Sequence, residues 1–155
     1  MYRKTYALID CNVIEDNVKA IIKEYSSYKY YFGVVKANAY GHGSILIAEK
    51  LSEIGINDFA VATLDEGLEV RKRYSDVPVL VLEPVSASDA EVASKNNITI
   101  TIDNKDIFDI AMNKNYDLIV GNDICIKYME EKTNENVGTI GIVGCITNNF
   151  CMCGK

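Results

Sequence analysis

The sequence predicts an α/β fold in which parallel strands alternate with helices, as in a partial (β/α)8 barrel or an open parallel sheet. Three observations lead there. After a longer first unit, short apolar runs recur about every twenty residues, with stretches of helical periodicity between them. Five runs of this kind are present, starting near Tyr30, Phe59, Val79, Ile98 and Asp117. The chain has 155 residues, enough for one domain with its own core, whereas a complete (β/α)8 barrel takes about 250. Five strands are more than half a barrel and less than a whole one.

Taken in order, residues 5–9 read as a short leading strand. Asn12, with Glu15 three residues later, gives a capping-box start. Ile14, Val18, Ile21, Ile22 and Tyr25 share one face of the helix that follows, and Ser26 and Ser27 end it. Residues 30–35 form the next strand. A second helix carries Ile45, Ala48, Leu51 and Ile54 as its inner stripe, with Gly55 at its C-terminal cap. Residues 59–62 are a strand, and Thr63 with Glu66 makes another capping box for a helix reaching Tyr74.

Residues 79–82 are wholly apolar, as a strand buried on both faces should be. Ser88 and Glu91 repeat the capping signal. Ile98-Thr99-Ile100-Thr101-Ile102 alternates cleanly. Its isoleucines therefore face the helices and its threonines the interior, or the reverse. Asp103 and Asn104 open a helix with Ile107, Ile110 and Ala111, and residues 117–120 form a further strand. No Gly-x-Gly-x-x-Gly turn follows a strand, which argues against nucleotide binding.

The rhythm breaks after Asn122, so the expected division is a domain over residues 1–123 and a divergent tail over 124–155. The tail holds a spaced-glycine run, Gly138, Gly141 and Gly144, and the cysteines Cys125, Cys145, Cys151 and Cys153. The spacing of the last three matches no standard zinc pattern, and no metal site is expected. Cys11 stands alone in the first 124 residues, and the odd total of five argues against a secreted disulfide framework. A net charge of −6 without a dense Lys/Arg cluster argues against nucleic-acid binding. No apolar stretch is long enough to cross a bilayer, and Asp10 interrupts the apolar segment after Arg3 and Lys4, so no signal peptide is read. The expectation is a cytoplasmic protein.

The chemistry concentrates in Val34-Val35-Lys36-Ala37-Asn38-Ala39-Tyr40-Gly41-His42-Gly43. A strand ends in one lysine, a loop with two glycines follows, and a helical pattern begins. Ligands of α/β folds collect at the carboxyl ends of strands. A lysine there can form a Schiff base with a carbonyl cofactor, of which pyridoxal phosphate is the usual one. The plain alternative is a solvated lysine closing a buried strand. His42, the only histidine, reads as a satisfied loop residue rather than a chemical group. Asn38 and Gly41 are expected to set the loop's conformation.

This ten-residue string closely resembles the cofactor-lysine motif of the alanine racemase family. The opening Tyr2-Arg3-Lys4-Thr5-Tyr6-Ala7-Leu8-Ile9-Asp10 and the later Phe59-Ala60-Val61-Ala62-Thr63-Leu64-Asp65-Glu66-Gly67 are similar too. The resemblance runs from Arg3 to about Val120. It implies a partial (β/α)8 barrel, with pyridoxal phosphate as cofactor and interconversion of L- and D-alanine, the D-form serving peptidoglycan. It further implies that Lys36 is the Schiff-base lysine and one of two bases. Tyr40 matches a residue that helps hold the cofactor phosphate, and Val34 and Leu82 match positions lining the cofactor ring. Family members are homodimers whose second base is a tyrosine from the partner's C-terminal domain. Serine or another small amino acid remains an open alternative to alanine.

The sequence departs from the family after Asn122. Family members continue into an Asp-Thr-Gly-Met-x-Arg type segment, whereas this chain reads Lys127-Tyr128-Met129-Glu130-Glu131-Lys132. A frameshift, a premature stop or a divergent end each produces such a pattern. The expectation is an N-terminal racemase segment inactive on its own. The alternatives are a non-catalytic pyridoxal-phosphate-binding module and a truncated product without function.

Overall fold

The computed structural model describes residues 6–28, 30–114, 118–120, 143–145 and 150–153. Along the chain the elements are α1 (Cys11–Glu24), β1 (Tyr30–Val34), α2 (Lys36–Tyr40), α3 (Ser44–Glu53), β2 (Asp58–Val61), α4 (Leu64–Arg73) and β3 (Val79–Pro84). They continue with α5 (Ala87–Lys95), β4 (Thr99–Ile102), α6 (Lys105–Lys114), β5 (Leu118–Val120), β6 (Val143–Cys145) and β7 (Phe150–Cys153).

The described strands form one sheet in the order β5-β4-β3-β2-β1-β7-β6. From β1 to β5 each strand pairs in parallel with its successor, the winding of a barrel wall. On its other edge β1 pairs antiparallel with β7, with Phe32 opposite Cys151, and β7 pairs antiparallel with β6. In a closed barrel of this type that edge of the first strand would meet the last strand in parallel. The sheet is thus an α/β partial barrel wall carrying an antiparallel addition on its first strand.

Side-chain alternation divides the sheet into two faces. On the helix side a continuous core joins Ile47, Ala48 and Leu51 of α3 to Phe59 and Val61 of β2, Val79 and Val81 of β3, and Ile100 and Ile102 of β4. Val70 of α4, Ala90 and Ala93 of α5, and Phe108 of α6 complete it. The opposite face carries a smaller cluster, Val34, Ala60 and Leu80, with Phe32 and Leu82 packed on it. The alternating segment of β4 therefore turns its isoleucines to the helices. Thr101, on the other face, is buried and its hydroxyl donates to the Val81 carbonyl at 2.7 Å.

Several local expectations are corrected. Residues 6–10 form no strand; Tyr6 and Leu8 are exposed, since no neighbouring strand pairs with them among the described residues. The N-cap of α1 is Asp10, not Asn12: its carboxylate accepts from the backbone N–H of Asn12 at 2.9 Å and of Val13 at 3.4 Å. Asn12 itself lies in the first helical turn. Likewise α5 is capped by Ser86, whose hydroxyl accepts from the Asp89 N–H, and Ser88 is already inside the helix. The helix α1 ends at Glu24, ahead of the serines. In α3 Ile47 is buried, a position the inner stripe omitted, and in α6 Phe108 joins Ile107 in the core. The Thr63–Glu66 capping box is present as expected. Apart from Val143–Cys145, the spaced-glycine run lies outside the described residues.

Candidate functional site

Strand β1 is the last parallel strand of the sheet, between β2 and the antiparallel β7, and delivers Lys36 at its carboxyl end. The Val35 N–H donates to the Ala60 carbonyl at 2.9 Å, extending the ladder one residue past the strand. Lys36 follows, partly exposed, and its ammonium makes no ion pair or hydrogen bond among the described residues. Val34 and Leu82 lie on the sheet face away from the helices, in the small apolar cluster with Ala60 and Leu80. Val34 of β1 and Leu82 of β3 thus share one sheet face, with Ala60 of β2 between them, and Lys36 follows the carboxyl end of β1.

The loop after Lys36 is not an ordinary helix. Ala37, Asn38, Ala39 and Tyr40 have φ of 49°, 54°, 50° and 55°, one full turn of left-handed backbone. For residues with a Cβ this region costs about 1–2 kcal/mol each, so surrounding contacts must hold it. Gly41, at φ 89°, closes the turn where a side chain would add further strain. Its N–H donates to the Ala37 and Asn38 carbonyls, and the Gly43 N–H donates to Asn38 as well. The Asn38 side-chain oxygen accepts from the Ser44 N–H at 2.9 Å and caps α3, which Gly43 cannot do. His42 Nδ1 hydrogen-bonds the Ala39 carbonyl at 2.9 Å, so the histidine is a satisfied loop residue. Asn38 and Gly41 set the loop, as their types suggested. Tyr40 is 43% exposed, with its hydroxyl unpaired among the described residues.

A residue whose role at this site the sequence did not reveal is Glu66. It completes the capping box of α4, with its Oε2 accepting from Ala62 N–H at 2.8 Å and Thr63 N–H at 3.4 Å. Its other oxygen, Oε1, accepts from the Ala37 N–H at 2.7 Å. One carboxylate therefore joins the loop behind Lys36 to the end of β2. The capping signal Thr63-x-x-Glu66 was legible; the bridge to Ala37, across 29 positions, has no local signature.

The donor set fits a pyridoxal-type group. Among the described residues the primary amine after β1 and the hydroxyl of the exposed Tyr40 have no partner, and Val34 and Leu82 give an apolar surface on one face of the sheet. No helix among the described residues is long and apolar enough to cross a membrane.

Comparison with known proteins agrees with this geometry. Residues 9–116 match the model of the alanine racemase N-terminal domain. Over 142 residues, 92% of the chain, the sequence is 33% identical to the alanine racemase of Streptococcus uberis, of which it covers 37%. Among solved structures, the alanine racemase of Bacillus anthracis with bound L-Ala-P superposes with a TM-score of 0.65 at 37% identity, over 73% of this chain and 29% of that one. A histidine racemase from Leuconostoc mesenteroides superposes with a TM-score of 0.60 at 29% identity, over 71% and 30%. The chain thus spans little more than a third of the length of the Streptococcus relative. A family match over more than half the chain, and a parallel βα winding from β1 to β5 that agrees with it, make this protein a member of the alanine racemase family through its N-terminal domain.

Proposed function

We propose that this chain provides the cofactor-lysine half of a pyridoxal-phosphate-dependent racemase acting on alanine, with Lys36 as the covalent attachment point and one of two bases. The observation that carries the reading is the amine of Lys36 at the carboxyl end of β1, without a partner among the described residues and followed at once by a strained loop. When bound, the cofactor would draw electrons from the substrate's α-carbon and make its proton removable. The residues of this chain would act around it. Lys36 would hold the cofactor and move a proton on one face. Tyr40 would donate its hydroxyl to the phosphate, and Val34 and Leu82 would pack against the ring and keep water from it.

The second base must approach from the opposite face, and no described residue is assigned to it. In this reading it comes from a further domain of a partner copy, as the resemblance implies. The small amino acid accepted is alanine on the balance of similarity. A histidine racemase shares this fold, so the fold alone does not fix the substrate.

A second reading is favoured by one observation. The β1 edge, where a closed barrel places its last strand, is paired with β7. A chain that keeps this pairing would be a pyridoxal-phosphate-binding module without racemase activity.

Incubation with pyridoxal phosphate, borohydride reduction and peptide mapping tests both readings. Cofactor fixed on Lys36 and absent from Lys36→Ala is expected. Labelling scattered over surface lysines and unchanged in that variant would sink them. Racemisation by the same preparation separates the first from the second.

A further inference from the structure

We infer that Glu66 is a positioning residue for the Lys36 loop, and that its two carboxylate oxygens do separable jobs. This rests on the reading of Lys36 as the cofactor lysine. The chain immediately after Lys36 is held in four consecutive left-handed residues. Such a turn persists only where neighbours over-determine it. Three groups do so here. Asn38 and His42 bond within the loop itself. Glu66 alone among the three reaches in from another βα unit. Its Oε1 takes the N–H of Ala37, the first residue of the left-handed turn and the one bonded to Lys36.

The geometry requires a carboxylate. Three N–H donors converge on the side chain, one at Oε1 and two at Oε2. A carboxylate is acceptor-only and serves both sides. Glutamine has one acceptor oxygen and one NH2 group, so it can satisfy one side while its NH2 meets a donor on the other. The side with two N–H groups and the helix cap should keep the oxygen. Glu66→Gln is therefore expected to preserve the cap and release Ala37. Thr63→Ala does the opposite: it removes the hydroxyl that accepts from the Glu66 N–H at 3.4 Å and leaves the Ala37 contact in place.

The pair of variants makes the test, on the full chain and at matched fraction folded. Two quantities are read: amide exchange over residues 37–43, and the amount of pyridoxal phosphate fixed on Lys36 by borohydride at subsaturating cofactor. Glu66→Gln should raise exchange in that segment and lower the Lys36 adduct on the order of tenfold, the scale of one charge-assisted hydrogen bond. Thr63→Ala should speed exchange in α4 and leave the adduct near the wild-type level. Equal losses of adduct in the two variants would reduce Glu66 to a helix cap and overturn the inference, as would unchanged exchange over residues 37–43 in Glu66→Gln. If the wild-type chain fixes no cofactor on Lys36, the racemase reading fails by itself, and the exchange data alone decide whether Glu66 holds the turn.

Discussion

Gly33 lies directly under Leu51. A Cβ built on this glycine would stand 2.5 Å from Leu51 Cδ1 and 3.3 Å from Phe59 Cδ1. Leu51 is 1% exposed and Phe59 is fully buried, so the Leu51 methyl would have to turn aside within the core. The absent side chain is what lets α3 settle onto β1, and α3 is the helix that receives the loop behind Lys36. Gly33→Ala is expected to destabilise the fold by about 1–3 kcal/mol through overpacking. Urea unfolding followed by circular dichroism measures it. A variant as stable as wild type would show that the helix can shift outward without cost.

Thr101 supplies the buried hydroxyl that bonds the Val81 carbonyl at 2.7 Å. Thr101→Val keeps the shape and removes the donor. The expected loss is about 1 kcal/mol, the net value of an ordinary hydrogen bond. Thermal unfolding of the two proteins gives the difference, and an unchanged or raised midpoint would mean that burying the added methyl outweighs the lost bond.

Glu15 ties α1 to α3. Its carboxylate meets Lys19 at 2.6 Å and Lys50 at 2.9 Å, and hydrogen bonds to these two ammonium groups hold its pKa down to about 2 from 4.5. A carboxyl whose folded pKa is depressed stabilises the fold above its unfolded pKa and loses that contribution as pH falls through the folded one. The window is therefore 4.5 down to about 2. Lys50 is raised above 10.5 by hydrogen bonds to Glu15 and Glu53; its share is complete below 10.5 and fades as pH rises past the folded value. Because both side chains are only partly buried, at 27% and 17% exposure, the effect should be small and weakened by salt. Wild type should lose more stability than Glu15→Gln on acidification through that window. Parallel acid titrations in which the two proteins lost stability equally would overturn the idea.

Racemisation needs acid-base groups on both faces of the bound amino acid, and in the proposed reading this chain supplies one of them, Lys36. Each such group contributes about 10²- to 10⁴-fold. The isolated 155-residue chain is expected to racemise alanine no faster than free pyridoxal phosphate. Chiral chromatography of an overnight reaction checks this. Turnover well above the free cofactor that vanishes in Lys36→Ala would mean that another part of the chain or a second copy supplies the missing base.

The sequence by itself determined the parallel βα winding, because hydrophobic periodicity and turn chemistry are local. The order of β1 to β5 and the Thr63–Glu66 cap follow from residues close together in the chain. The motif around Lys36 was readable for the same reason. Helix starts were displaced by two residues at Asp10 and Ser86, since neighbouring Ser, Asp and Asn residues offer competing caps and only backbone geometry selects among them. Tertiary structure alone decided what depends on distant partners. It turned the isoleucines of β4 toward the helices, because that face holds the larger core. It set β7 against the free edge of β1, a pairing across more than a hundred residues. It also stabilised a left-handed turn that isolated L-residues disfavour, by bringing Glu66 from the next βα unit to the N–H of Ala37.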